Sequence, residues 1–113
     1  MKKLFYFLAV ILLLASCNSK PIDLNVMSFN IRYDNPDDSL NNWQYRKDVA
    51  AKTIKSQNAD IVGTQEVLVN QLNDLKSRLP EYNAIGVGRE DGIEKGEYSA
   101  ILYRKDRFKE IKS

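Results

Sequence analysis

Residues 59–67 read ADIVGTQEV: a short apolar run, Ile61 and Val62, passes through Gly63 and ends in the polar pair Gln65 and Glu66, after which a helical pattern begins. An apolar run this short, followed at once by a helix, suits a strand buried inside an α/β sheet. A carboxylate where such a strand runs out is held rigidly and still reaches the edge at which open α/β sheets place their ligands. Glu66 is therefore the first candidate for a functional residue.

The flanking chain alternates in the same style. Residues 22–31 (IDLNVMSFNI) have a period of two that turns apolar on both faces toward the middle, which predicts a strand entering a sandwich core, with Asn30 and Arg32 at its exit. The turn formers Asp34, Asn35, Pro36, Asp37 and Asp38 predict a loop over residues 33–42. Residues 43–57 read as a helix with Val49, Ala50, Thr53 and Ile54 inward, Arg46, Lys47, Lys52 and Lys55 outward, and Trp43 packed against the sheet. A second helix over residues 67–79 carries Leu68, Leu72, Leu75 and Leu79 on one face and stops at Pro80. Strands are predicted over residues 82–88 and 98–104, joined by a polar loop with Asp91-Gly92 and Lys95-Gly96, and a further strand begins at residues 108–111. Strand, helix, strand, helix is the order of a layered α/β (α+β) protein. The last strand has nothing to cover its edge, so residues 24–113 read as the N-terminal portion of a larger, incomplete domain.

Residues 1–16 follow a different logic. Lys2 and Lys3 precede an unbroken apolar run that ends at Ala15, well short of the roughly 20 residues needed to span a bilayer, which marks a signal-peptide core rather than a membrane helix. The closing residues Leu14, Ala15, Ser16 and Cys17 resemble the bacterial lipobox, whose cysteine is acylated and becomes the mature N-terminus. Cys17 is the only cysteine of the chain and cannot form an internal disulfide, so lipid attachment is its expected use. Residues 17–23 then form the lipidated cysteine and a short tether. The expected location is the bacterial cell envelope, with the protein exported and anchored to a membrane as a lipoprotein.

Charge narrows the possible partners. The chain holds 17 Lys and Arg against 15 Asp and Glu, so without Lys2 and Lys3 the balance is neutral. No run of five basic residues occurs, which argues against tight, sequence-independent nucleic-acid binding but leaves room for a transient nucleic-acid substrate. Three stretches deliver polar groups at strand exits: Asn30 with Arg32, Gln65 with Glu66, and Glu97 with Tyr98. Taken singly, each has an ordinary explanation, as a turn residue, a charge complementing a helix dipole, or a loop acid.

Together they carry a resemblance. MSFNIR (residues 27–32), DIVGTQEV (residues 60–67) and GRED…GEYSAILYRKDRF (residues 88–108) resemble successive motifs of the endonuclease/exonuclease/phosphatase family, the deoxyribonuclease-I-like phosphoester hydrolases. The resemblance implies a layered α/β sandwich of that type. It implies Glu66 as the carboxylate ligand of a divalent cation, usually magnesium with manganese as the alternative, and Asn30 beside the metal and the scissile phosphate. Arg32 is implied near the substrate, Glu97 as support for a catalytic histidine, and Tyr98 as a neighbour of the site. Magnesium suits such a half-site, since it keeps several waters and needs only one or two carboxylates plus substrate phosphate.

The chain departs from the family in one respect: it contains no histidine, so the Asp–His pair that activates the attacking water has no counterpart, and no substitute base is evident. The expectation is a fragment of a membrane-anchored, metal-dependent hydrolase acting on nucleic acid, a sugar or inositol phosphate, or a phospholipid headgroup, the 113-residue chain being inactive alone. No protein partner is expected. The alternative is a non-catalytic binding or structural lipoprotein that keeps the fold.

Overall fold

Residues 20–113 are described by a computed structural model; the signal-like segment and Cys17 lie outside the described residues. The elements run β1 (Val26–Asn30), a 3-10 turn (Pro36–Asn41), α1 (Trp43–Ser56), β2 (Ile61–Gln65), α2 (Val69–Arg78), β3 (Tyr82–Ile85) and β4 (Ile101–Arg104). They build a four-stranded mixed sheet in the order β1-β2-β4-β3. β1 and β2 are parallel, joined through α1 as parallel neighbours must be by a crossover, and the remaining pairs are antiparallel.

Alternation along β2 sets the two faces of the sheet. Val62 and Thr64 are buried, while Ile61, Gly63 and Gln65 on the other face are half-buried. Leu102 of β4 joins Val62 in a core completed by Ala50, Ala51 and Ile54 of α1 and Leu72 and Leu75 of α2, with Leu79 at its end. Trp43 is buried in this core, but its indole N–H donates to Asp74 of α2 at 2.9 Å, so it ties the two helices to each other.

Several expectations are corrected by packing. Val49 is 63% exposed, because at 100° per residue it falls on the opposite side of α1 from Ile54 and Trp43. β1 is shorter than predicted and lies at a sheet edge, leaving Ile22, Leu24 and Val26 exposed and only Met27 and Phe29 turned toward the core. The loop after β1 contains a 3-10 turn, started by Asn35 accepting from the Asp37 amide at 3.1 Å with Pro36 next in line. α2 begins at Val69, since Val67 is still bridged to Tyr98. Residues 108–111 form no strand: the chain turns back at Arg104, and the final residues border an apolar hollow of about 310 Å³ with Ile61, Ile85 and Ile101 on the sheet face opposite the helices. Among the described residues no helix is long and apolar enough to cross a membrane.

One buried acid staples the lower edge of the sheet. Asp60 accepts from the Asn25 amide at 2.9 Å and pairs with Arg107 at 2.5 Å, tying the segment before β1 to the segment after β4. The Asn25 N–H and then the Arg107 guanidinium hold its carboxyl below the ordinary range against the opposing effect of burial. A depressed folded-state value means that the stabilisation is complete above the ordinary Asp value of about 3.9 and is lost as pH falls through the folded value.

Two outcomes are expected. Leu75→Ala should cost about 2–5 kcal/mol in urea denaturation, whereas Val49→Ala should stay within about 0.5 kcal/mol. Asp60→Asn should flatten the fall in denaturation midpoint that the unsubstituted protein shows as pH drops below about 4; an identical acid limb in both proteins would contradict the assignment.

Candidate active site

Parallel pairing brings the first two polar exits together. The register places Asn30 opposite Gln65, so β1 and β2 deliver Asn30 and Glu66 at the same edge. Glu66 has φ 57° and Arg32 has φ 59°, left-handed conformations uncommon for residues with a Cβ. The turn at Glu66 swings its carboxylate toward β1. There the Asn30 Nδ2 donates to Oε1 at 2.9 Å, and the Tyr33 amide lies 3.4 Å from Oε2. The Asn30 Oδ1 in turn accepts from the Arg32 amide at 2.8 Å, which fixes the orientation of the side-chain amide. The Asn30 amide first, and the Tyr33 N–H second, hold the Glu66 carboxyl below its ordinary range, with a smaller contribution from the Arg32 charge.

Asn30, Glu66, Glu97 and Tyr98 line one cleft of about 540 Å³, with Gln65 and Arg89 also in its wall. Glu97 pairs with Arg89 across 3.0 Å, and the Arg89 amide donates to the Glu97 carbonyl at 3.2 Å. Tyr98 is 4% exposed: its hydroxyl donates to the Ile93 carbonyl at 3.0 Å and its amide to the Val67 carbonyl at 2.7 Å. That residue therefore pins the loop carrying Glu97 against the segment just after Glu66. The loop is compact at Gly88, where a Cβ would collide with the Lys95 backbone. Arg32 stands apart from this cleft. Its guanidinium grips Asp38 with a fork of 2.5 and 2.6 Å, and it lines a neighbouring groove whose other wall includes Arg46. Asn30 is shared by the two hollows.

Among the described residues no group of three or more His, Cys, Asp or Glu side chains could enclose a metal ion. The donors at the β1 and β2 exits are one ionised carboxylate and one amide, and each Glu66 oxygen spends only one hydrogen bond on the protein. The Glu66 oxygens keep free lone pairs, and the Asn30 Oδ1 keeps one beyond the bond from Arg32, while the Asn30 Nδ2 that faces Glu66 only orients it; this small set of oxygen ligands fits a hard divalent cation that keeps most of its water.

Sequence reasoning passed over Arg89, Arg46 and Gln71. Arg89 is the cation in the cleft wall, and its neighbour Gly88 hinted at a tight turn. Arg46 belongs by spacing to an outward charged face, yet its guanidinium donates to the carbonyls of Ile31, Arg32, Tyr33 and Asn41. Gln71 sits three positions after the apolar Leu68 that precedes α2, a place where a side chain can reach back to cap the helix.

Known proteins give the site its context. No curated protein sequence gives a significant match. Solved structures do. A Bacteroides vulgatus endonuclease/exonuclease/phosphatase is 60% identical, with a TM-score of 0.75 over 76% of this chain and 33% of its own. An endonuclease/exonuclease/phosphatase family protein from Bacteroides thetaiotaomicron is 45% identical, with a TM-score of 0.80 over 83% of this chain and 35% of its own. A mannosyl-6-phosphatase from Bacteroides thetaiotaomicron is 46% identical, with a TM-score of 0.77 over 80% of this chain and 34% of its own. The chain thus spans about a third of the length of these structures. Residues 27–113, which hold β1 from Met27 on, the whole of β2 and every residue of the cleft, match the pattern of the Endonuclease/Exonuclease/phosphatase family, and the chain belongs to that family.

Proposed function

We propose that this chain supplies the cation-holding part of a magnesium- or manganese-dependent phosphoester hydrolase. The observation that carries the reading is the Asn30–Glu66 pair, held ionised and oriented in a cleft at the parallel strand exits. In this reading Glu66 and Asn30 hold the cation, which when bound polarises the phosphoryl oxygens and offsets charge developing on the leaving oxygen. The chain's own residues bind and orient. Asn30 keeps the Glu66 carboxylate turned to the cleft, and Arg89 offers a positive charge to a phosphate entering beside two acids. Glu97, released from Arg89 by such a phosphate, becomes free to support a catalytic base. Arg32 remains a candidate for contact with the distal part of the substrate, and Tyr98 acts by fixing the loop that carries Glu97.

A phosphorylated sugar is the substrate class we favour over nucleic acid and phospholipid headgroups. Two observations support it: the balanced charge of the chain beyond Lys3, without a basic stripe, and 46% identity to a mannosyl-6-phosphatase. Turnover needs a proton acceptor, and this chain has no histidine, while its Glu97 is engaged by Arg89. The base therefore comes, in this proposal, from a part of the hydrolase other than residues 20–113. A binding role without turnover is the second reading, favoured by that same lack of a base beside Asn30 and Glu66. The lipobox-like residues support export and anchoring to a membrane of the bacterial envelope through Cys17.

In the full-length protein, Glu66→Ala should lower magnesium-dependent release of phosphate from mannose 6-phosphate by about a hundredfold or more, the scale of losing several kcal/mol of transition-state stabilisation, with an unchanged circular dichroism spectrum. Unaltered turnover would refute the site assignment, and no turnover in the unsubstituted protein with any phosphoester would favour the binding role. Cys17→Ser should move the protein from the membrane to the soluble fraction and abolish labelling by radioactive palmitate. Retention of both would show that the anchor lies elsewhere.

A further inference from the structure

Gln71 is fully buried, although nothing in the reading above uses it. Its Oε1 accepts from the Leu68 amide at 3.0 Å and from the Asp34 amide at 3.1 Å, and its Nε2 donates to the Arg32 carbonyl at 2.9 Å. The first bond is an ordinary helix-capping contact. The other two reach across to the turn that follows β1, more than thirty residues earlier in the chain. One planar amide thus grips the turn after Asn30 and the segment after Glu66 at once.

A left-handed residue lies at each grip: Arg32 within the first turn, and Glu66 two residues before Leu68. Non-glycine residues in left-handed conformations persist only where their surroundings over-determine them. At the first turn that requirement is met group by group. The Arg32, Tyr33 and Asp34 amides go to Asn30, Glu66 and Gln71 respectively. The Ile31, Arg32 and Tyr33 carbonyls go to Arg46, with Gln71 sharing that of Arg32. Arg46 holds only the β1 side. Gln71 is the member of this set that bonds to the backbone on both sides of the Asn30–Glu66 pair.

We propose that Gln71 is a positioning residue that sets the separation and orientation of Asn30 and Glu66, and so sets how tightly that pair holds a divalent cation. The inference rests on the reading that Glu66 binds such a cation. A carboxamide is required, since the site needs two acceptances at one end and a donation at the other. Glutamate keeps the acceptances and sets an acceptor against the Arg32 carbonyl; methionine keeps the volume and loses all three bonds.

The test is a Mn²⁺ titration of the full chain, read by paramagnetic broadening of the Asn30 and Glu66 amide resonances and by electron paramagnetic resonance of free Mn²⁺. Gln71→Met should weaken Mn²⁺ by about 10- to 100-fold, the usual effect of losing a group that orients a ligand, and Gln71→Glu by less. Leu75→Ala, a buried apolar change one turn further along the same helix, removes no hydrogen bond to either turn, controls for lost stability and should leave the affinity of the folded protein unchanged. If Gln71→Met does not fold, a loss in Gln71→Glu with none in Leu75→Ala still supports the proposal. Equal affinities in the Gln71 variants and the unsubstituted chain would overturn it while Glu66→Gln still abolished the broadening. Broadening unaffected by Glu66→Gln would instead overturn the cation reading itself.

Discussion

The parallel pairing of β1 with β2 is the contact on which the rest of this structure depends. It places Asn30 level with Gln65, so the next residue of β2, Glu66, can fold back onto the β1 exit. Shifting the register by one residue would send Asn30 to the helix-covered face and separate the amide from the acid. That pairing is secured at its other end by Asp60, which joins the residues before β1 to those after β4. The core beneath β2 then keeps the strand from sliding, since Val62 and Thr64 are both buried.

Preorganisation of the cleft comes from polar groups rather than from apolar packing. Two left-handed residues, Arg32 and Glu66, mark the turns beside the pair, and at the first turn the Arg32, Tyr33 and Asp34 amides each have a side-chain partner. Gln71, the fully buried one of these partners, is costly when left half-satisfied, which couples its three bonds to one another. Arg46 and Gln71 supply much of this preorganisation, from helices whose apolar sides meanwhile form the core. The same helices therefore perform two tasks. Their apolar faces build the layer, and one polar residue from each reaches the sheet edge.

The two faces of the sheet differ. The helices cover Val62 and Leu102, while Ile61, Ile85 and Ile101 on the other face border a hollow shared with the final residues of the chain. The matches to related solved structures take in 76–83% of this chain and about a third of theirs. Within the described residues, the cleft has walls carrying Glu66, Glu97 and Arg89, and the pairing of Glu97 with Arg89 leaves Glu66 as the acid turned toward Asn30.

Much of the fold was legible because it is written in local periodicity. The alternation around Val62, the leucine spacing of α2 and the stop at Pro80 each reflect one element meeting one core. The family membership was legible too, since it rests on contiguous motifs. Periodicity failed where burial depended on which neighbour was present: Val49 lies on the wrong side of α1, β1 is an edge, and residues 108–111 find no strand to pair with. Sequence alone marked Asn30, Glu66 and Glu97 as exits from strands. It could not show that Glu97 faces Arg89, that Arg32 turns away to Asp38, or that Gln71 joins two turns. Those facts rest on contacts between residues far apart in the chain, whose geometry exists only once the parallel pair has formed and the helices have docked on it.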